Sequence, residues 1–204
     1  MPALTVYFDY VDPWSYVALL RLRRLVESLG DLRVNWYPFE LIPDLPARGA
    51  RPRNPAFLRR KTQYDVDEML RRLDLPITIR VPYDRLTNSR LALAGALIAR
   101  AHGVFDGYHG RTFEAFFERQ EDIGALETVV ALLHEQGVDA EAARRALVNG
   151  GYSAEVERLR AEAEEYGVAA TPTFVANNQG IVGIVGDERL LRILNPAQPA
   201  PAGA

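Results

Sequence analysis

Apolar and polar positions set one period at the start of the chain, a second through its middle and the first again near its end. Leu4 to Tyr10 is rich in β-branched and aromatic residues and predicts a buried strand. Asp12-Pro13 then opens a helix, because aspartate is a good N-cap and proline is pre-set for the first helical position. Val17, Leu20, Leu22, Leu25, Val26 and Leu29 supply its apolar face, and Gly30 marks its stop. A second strand follows at Leu32 to Tyr37, with Pro38 near its end. Strand, helix and strand in succession predict a βαβ unit with a right-handed crossover.

From about Asn54 to Tyr166 the pattern is helical. Amphipathic stretches run over Arg59–Leu73, Asn88–His102, Tyr108–Arg119, Leu126–Gln136, Ala140–Val148 and Ala154–Tyr166. Glycines at 103, 137 and 167 fall where helices should end. Phe113, Phe116 and Phe117 sit at helical spacing and are expected to pack that block, while Glu162 to Glu165 reads as a solvated face. After Gly167 the β character returns. Thr173 to Ala176, a turn at Asn177 to Gly180 and Ile181 to Val185 predict a hairpin, and Asp187 to Leu194 a last helix. The order is therefore βαβ, a helical block, then αββα.

Composition narrows the chemistry. The chain of 204 residues contains no cysteine, which removes disulfides, thiolate nucleophiles and cysteine-ligated metals together. A net charge of −3 leaves no electrostatic footprint for nucleic acid. No apolar run is long enough to span a membrane, and the first residues lack the basic segment and apolar run of a signal peptide. A cytoplasmic protein is the expectation. His102, His109 and His134 are scattered without ligand spacing, so no metal site is expected.

Three segments carry a resemblance. Phe8-Asp9-Tyr10-Val11-Asp12-Pro13-Trp14-Ser15-Tyr16 resembles the active-site segment of the DsbA family, where Cys-Pro-x-Cys follows the first strand. Gly167-Val168-Ala169-Ala170-Thr171-Pro172-Thr173-Phe174-Val175 is similar to that family's cis-proline segment. Gly186-Asp187-Glu188-Arg189-Leu190 resembles the segment that opens its last helix. Phe39 to Pro46 and Glu121-Asp122-Ile123 resemble the FrnE-like branch, related to 2-hydroxychromene-2-carboxylate isomerases and kappa-class glutathione transferases. The resemblance implies an α/β thioredoxin fold made of residues 1–53 and 151–195. It also implies an inserted all-helical domain at 54–150, and the Pro/Ala composition of 196–204 predicts a tail without order. The dithiol members carry cysteines where this chain has Asp12 and Ser15, and the isomerase and transferase relatives carry serine at the Asp12 position. Dithiol redox chemistry is excluded here.

What remains is a short set of candidates. Asp12 is a helix cap, or a general base or polar anchor for a small substrate. As a capped carboxylate it is expected to have a lowered pKa. Ser15, the second catalytic candidate, falls in the first helical turn, where its hydroxyl is expected to bond locally. Trp14 is a stacking wall for a ligand or a cover for the fold. Thr171-Pro172 is a cis bond beside the helix start, or a proline that starts a strand. By resemblance, Asp187 and Glu188 hold the glutamyl end of glutathione; by position they are an N-cap and a first-turn acid. The chain is thus expected to bind glutathione or another low-molecular-weight thiol, or a small organic molecule, for isomerase- or transferase-type chemistry. The alternative is a non-catalytic module that holds an extended peptide on the proline edge, and a homodimer stays open.

Overall fold

The computed structural model describes residues 3–82 and 84–195, apart from the side chains of residues 57–59. The tail expected at 196–204 lies outside the described residues. The chain runs through β1 (Ala3–Phe8), α1 (Pro13–Leu29), β2 (Arg33–Pro38) and α2 (Pro55–Arg72). It continues through α3 (Arg90–Ala101), α4 (Phe105–Phe117), α5 (Leu126–Glu135), α6 (Ala140–Val148) and α7 (Gly151–Glu165). It closes with β3 (Thr173–Ala176), β4 (Gln179–Val182) and α8 (Asp187–Leu194). The four strands form one mixed sheet in the order β2-β1-β3-β4. β1 is parallel to β2 and antiparallel to β3, and β3 is antiparallel to β4. None of the described helices is long and apolar enough to cross a membrane.

The strand and helix boundaries follow from particular residues. Pro38 ends β2, which is an edge strand, the place in a sheet where proline is tolerated. α2 begins four residues before the expected Arg59, on Pro55 at its first position. α7 begins at Gly151, three residues before the expected start, because Gly150 takes a left-handed φ of 78° and the helix resumes at once. The hairpin is tighter than expected. Ala176 pairs with Gln179, leaving Asn177-Asn178 as a two-residue turn with φ of 48° and 59°. Asparagine accepts that left-handed backbone at little cost. The Asn177 amide also donates to the carbonyls of Ile193 and Leu194, closing the end of α8.

One apolar cluster joins the sheet to the helices. Leu4, Val6 and Phe8 alternate on the buried face of β1, and they share that cluster with Tyr16 and Val17 of α1. Phe113 and Phe117 of α4 stack on the Tyr16 ring at 5.2 and 5.8 Å between centroids. The helical block is therefore built onto the sheet through a shared interior. Three arginines fix the joints. Arg21 of α1 is buried, and its Nε donates to Asp187 at 2.7 Å, holding the start of α8 against α1. Arg90 of α3 donates from Nε and Nη2 to Oε2 of the buried Glu40, at 3.0 and 2.7 Å. Arg160 of α7 donates to the Glu40 carbonyl at 2.9 Å, so the segment after β2 is held from two helices.

Burial raises the Glu40 pKa, and Arg90 opposes that shift. Removing the guanidinium should leave a buried carboxylate without its partner. We expect Arg90→Met to cost on the order of 2–3 kcal/mol, somewhat below a fully buried pair because Arg90 is partly exposed. Adding Glu40→Gln should recover part of the loss. Denaturant midpoints of the single and double variants test this, and equal midpoints for wild type and Arg90→Met would refute it.

Candidate functional site

The chain leaves β1 at Phe8 and enters α1 at Pro13, and everything between serves that turn. Asp12 has extended backbone angles and caps α1. Its Oδ1 accepts the Trp14 N–H at 3.1 Å and its Oδ2 the Ser15 N–H at 3.0 Å. Oδ2 also accepts two hydroxyls, from Ser15 at 2.7 Å and from Thr171 at 2.8 Å. Thr171 lies 159 residues further along the chain, so this one oxygen ties the helix start to the segment before β3. The Thr171–Pro172 bond is cis. Ser15 is fully buried, and its Oγ accepts the Asp9 N–H at 3.4 Å.

Asp12 does not have the lowered pKa expected of a capping carboxylate. Burial raises it to about 6, against the opposing pull of the Ser15 and Thr171 hydroxyls and the Trp14 and Ser15 amides. Desolvation wins because the side chain is only 5% exposed. Asp12 thus carries a proton through part of the range near neutrality.

A second carboxyl went unremarked in the sequence. Asp9 is fully buried, accepts the Leu41 N–H on Oδ2 at 2.8 Å and the Val11 N–H on Oδ1 at 3.3 Å, and bonds the Ser89 side chain. Burial raises it to about 7. The signal for it was present: an aspartate set between Phe8 and Tyr10 in an otherwise apolar run. Its bonds gather the segments after β1, after β2 and before α3.

Those segments enclose a cavity of about 320 Å³ in which Asp12 is the acidic group. Val11, Trp14, Leu41, Ile42 and Phe116 give it apolar walls, and Arg85 and Thr87 add polar ones. Phe116 therefore serves the cavity as well as the core. Trp14 stands in the wall and also packs against the apolar core. Thr171 joins the site through Asp12 without lining the cavity, and Pro172 is buried beside it. Asp187 and Glu188 are not brought to this cavity. Asp187 is paired with Arg21 beside a different cavity of about 300 Å³, and Glu188 is exposed next to it.

The sheet order, the capped α1, the cis-proline segment and the helical block meet in one comparison. The description "DSBA-like thioredoxin domain" matches residues 3–195. The chain belongs to that family. YwbO, an uncharacterized protein of Bacillus subtilis (strain 168), is 28% identical over 198 residues, which cover 96% of each chain. A probable DsbA oxidoreductase from Streptomyces coelicolor superposes with a TM-score of 0.79 at 21% identity, covering 100% of this chain and 94% of its own. A 2-hydroxychromene-2-carboxylate isomerase superposes with a TM-score of 0.74 at 20% identity, covering 95% and 93%. This DsbA-like chain differs from a dithiol protein at the decisive positions, with Asp12 and Ser15 opening the helix and no cysteine anywhere.

Two measurements check the site's electrostatics. Thr171→Val removes a hydroxyl that stabilises the ionised form, so the Asp12 pKa should rise further above about 6 in a carboxyl-carbon NMR titration. An unmoved or lowered value would refute the role given to Thr171. Asp9 has its pKa raised in the fold, so its contribution to stability is full below the unfolded value of about 3.9 and is lost as pH rises through about 7. Asp9→Asn cannot ionise, and should gain on wild type by on the order of 3 kcal/mol between about pH 5 and 8. The buried His109, whose pKa is driven down, pulls the other way below about 6.5 but does so in both proteins and cancels in the difference. Parallel stability–pH curves for the two proteins would disprove the assignment.

Proposed function

We propose that the protein binds a small, largely apolar organic molecule in the cavity beside Trp14 and moves a proton on it with Asp12, an isomerase-type reaction. The observation that carries this reading is the shielded Asp12 carboxyl, raised to about 6, in the wall of an apolar cavity of about 320 Å³. A base is most useful when its pKa lies near the working pH and water is kept away from it. Asp12 Oδ2 is taken by three donors, whereas Oδ1 holds only the Trp14 amide among the described residues, so Oδ1 is the oxygen for the substrate. The carboxylate takes a proton from one carbon and returns it at another. Substrate and product are then isomers, and no oxidant is consumed. Arg85, paired with Asp122 at 2.8 Å, gives the cavity a guanidinium that an acidic substituent on the substrate would share with that carboxylate.

A glutathione held through Asp187, as the resemblance to the kappa-class enzymes implies, has less support. Asp187, assigned by resemblance to its glutamyl end, is engaged by Arg21 at a separate cavity. The extended-peptide alternative also has less support, because the cavity beside Trp14 pairs a carboxylate with a guanidinium as a small polar-headed ligand requires.

The structural neighbour described as an isomerase supplies a first probe, 2-hydroxychromene-2-carboxylate. It should raise the melting temperature of the wild type, with and without added glutathione, and less so of Arg85→Ala. Asp12→Asn keeps a good cap and should retain binding while its turnover falls by about 100-fold or more. In the wild type the rate should climb with pH through about 6 and then level, because the ionised form is the base. Turnover by Asp12→Asn at the wild-type rate would sink the proposal, and so would a rate that falls through that range.

A further inference from the structure

A second cavity lies between α1, β2 and α4, away from Asp12, with a volume of about 370 Å³. Leu19, Leu22 and Val26 of α1 face Val34 and Trp36 of β2 across it, and His109 of α4 joins the wall. His109 is 1% exposed and is surrounded by rings, with Phe8, Trp36 and Phe105 at 4.5, 4.6 and 4.9 Å between centroids. Its Nδ1 lies 3.1 Å from the Tyr10 hydroxyl. Its Nε2 is buried and has no hydrogen-bond partner among the described residues. A buried ring nitrogen without a partner is costly, and an incoming polar group would relieve that cost.

We propose that this cavity is a ligand site for a small phenolic molecule, whose ring lies against Trp36 and whose hydroxyl meets His109 Nε2. The chemistry selects the class. Around His109 the walls are the rings of Phe8, Trp36 and Phe105, so a group that meets Nε2 is stripped of water, and an uncharged hydroxyl loses least there. Burial, together with the Arg23 and Arg100 charges, keeps the imidazole neutral. Tyr10 then decides which tautomer is present, and Nε2 is either a donor or an acceptor. A phenolic hydroxyl can play either part, whereas an ether or an amine-free hydrocarbon cannot. The volume falls at the small end of the usual range for ligand pockets, which suits one or two fused rings. Arg23, Glu27 and Asp106, all exposed, put charge of both signs into the wall.

The chain has two tryptophans, and each belongs to a different cavity: Trp14 to the one beside Asp12, Trp36 to this one. Trp14→Phe therefore leaves Trp36 as the sole reporter. Titrating that variant with p-cresol should change Trp36 emission to saturation, and toluene should bind about five- to tenfold more weakly, the worth of one hydrogen bond. Adding His109→Phe should bring the two ligands to nearly equal affinity. A second readout, independent of whether the buried substitution disturbs folding, uses the unaltered protein. The Nε2 resonance of His109 in nitrogen-15 NMR should move with p-cresol and stay still with toluene. A linear, unsaturable response, equal affinities for p-cresol and toluene in the Trp14→Phe protein, or an Nε2 resonance that p-cresol leaves in place would each overturn the assignment. Failure here leaves the Asp12 cavity untouched, because its own probe reports through turnover.

Discussion

The rest of the structure depends on one carboxylate. Asp12 must satisfy the free amides at the start of α1, and it does so with two oxygens already shielded from water. The same group accepts the Thr171 hydroxyl, so the first and last parts of the chain meet on an atom that also closes a helix. Capping usually favours the ionised form, since helix amides and the helix dipole attract negative charge. Burial here outweighs that attraction and leaves Asp12 titrating at about 6. A structural bond and a proton carrier are therefore the same side chain, and a substitution at Asp12 perturbs both roles unless the replacement can still cap.

Much of the fold was legible because its signals are local. Asp-Pro before an apolar face, glycines after it and paired asparagines between strands each have a backbone reason that acts within a few residues. The boundaries of α5, α6, β3 and α8 agree with that reading within a residue. α7 shows the limit: the pattern places its start at Ala154, yet only Gly150 needs the left-handed backbone, and Gly151 is already helical. The site was legible in part. Asp12, Ser15 and Thr171 came together as local sequence and resemblance implied. The Asp12 pKa did not follow, because the sequence displays the cap but not the burial that competes with it. Asp9 and Arg85 were missed for the same reason, since each gains its role from segments remote in sequence. Asp187 was read from its position in a motif, whereas its partner Arg21 stands on another helix.

The helical block and the sheet share a single apolar cluster, and that has a cost and a use. Most of the interior is common to both, so packing defects in one part reach the other. The use is placement. Phe116 lies on a helix whose other aromatic residues are fixed against α1, and it reaches the cavity from an element that cannot drift independently. Glu40, held by Arg90 and Arg160, does the same for the segment that ends in Leu41 and Ile42.

The absence of sulfur at the head of α1 has a further consequence. A thiolate in that position reports the oxidant level around it, passing to a disulfide, a sulfenic acid or beyond as conditions change. A carboxyl has no such ladder. Asp12 responds to pH and to nothing in the redox balance of its compartment, so the same scaffold becomes blind to oxidants while staying sensitive to acid. Peroxide that would silence a dithiol relative leaves this cap, and the cavity it borders, chemically intact.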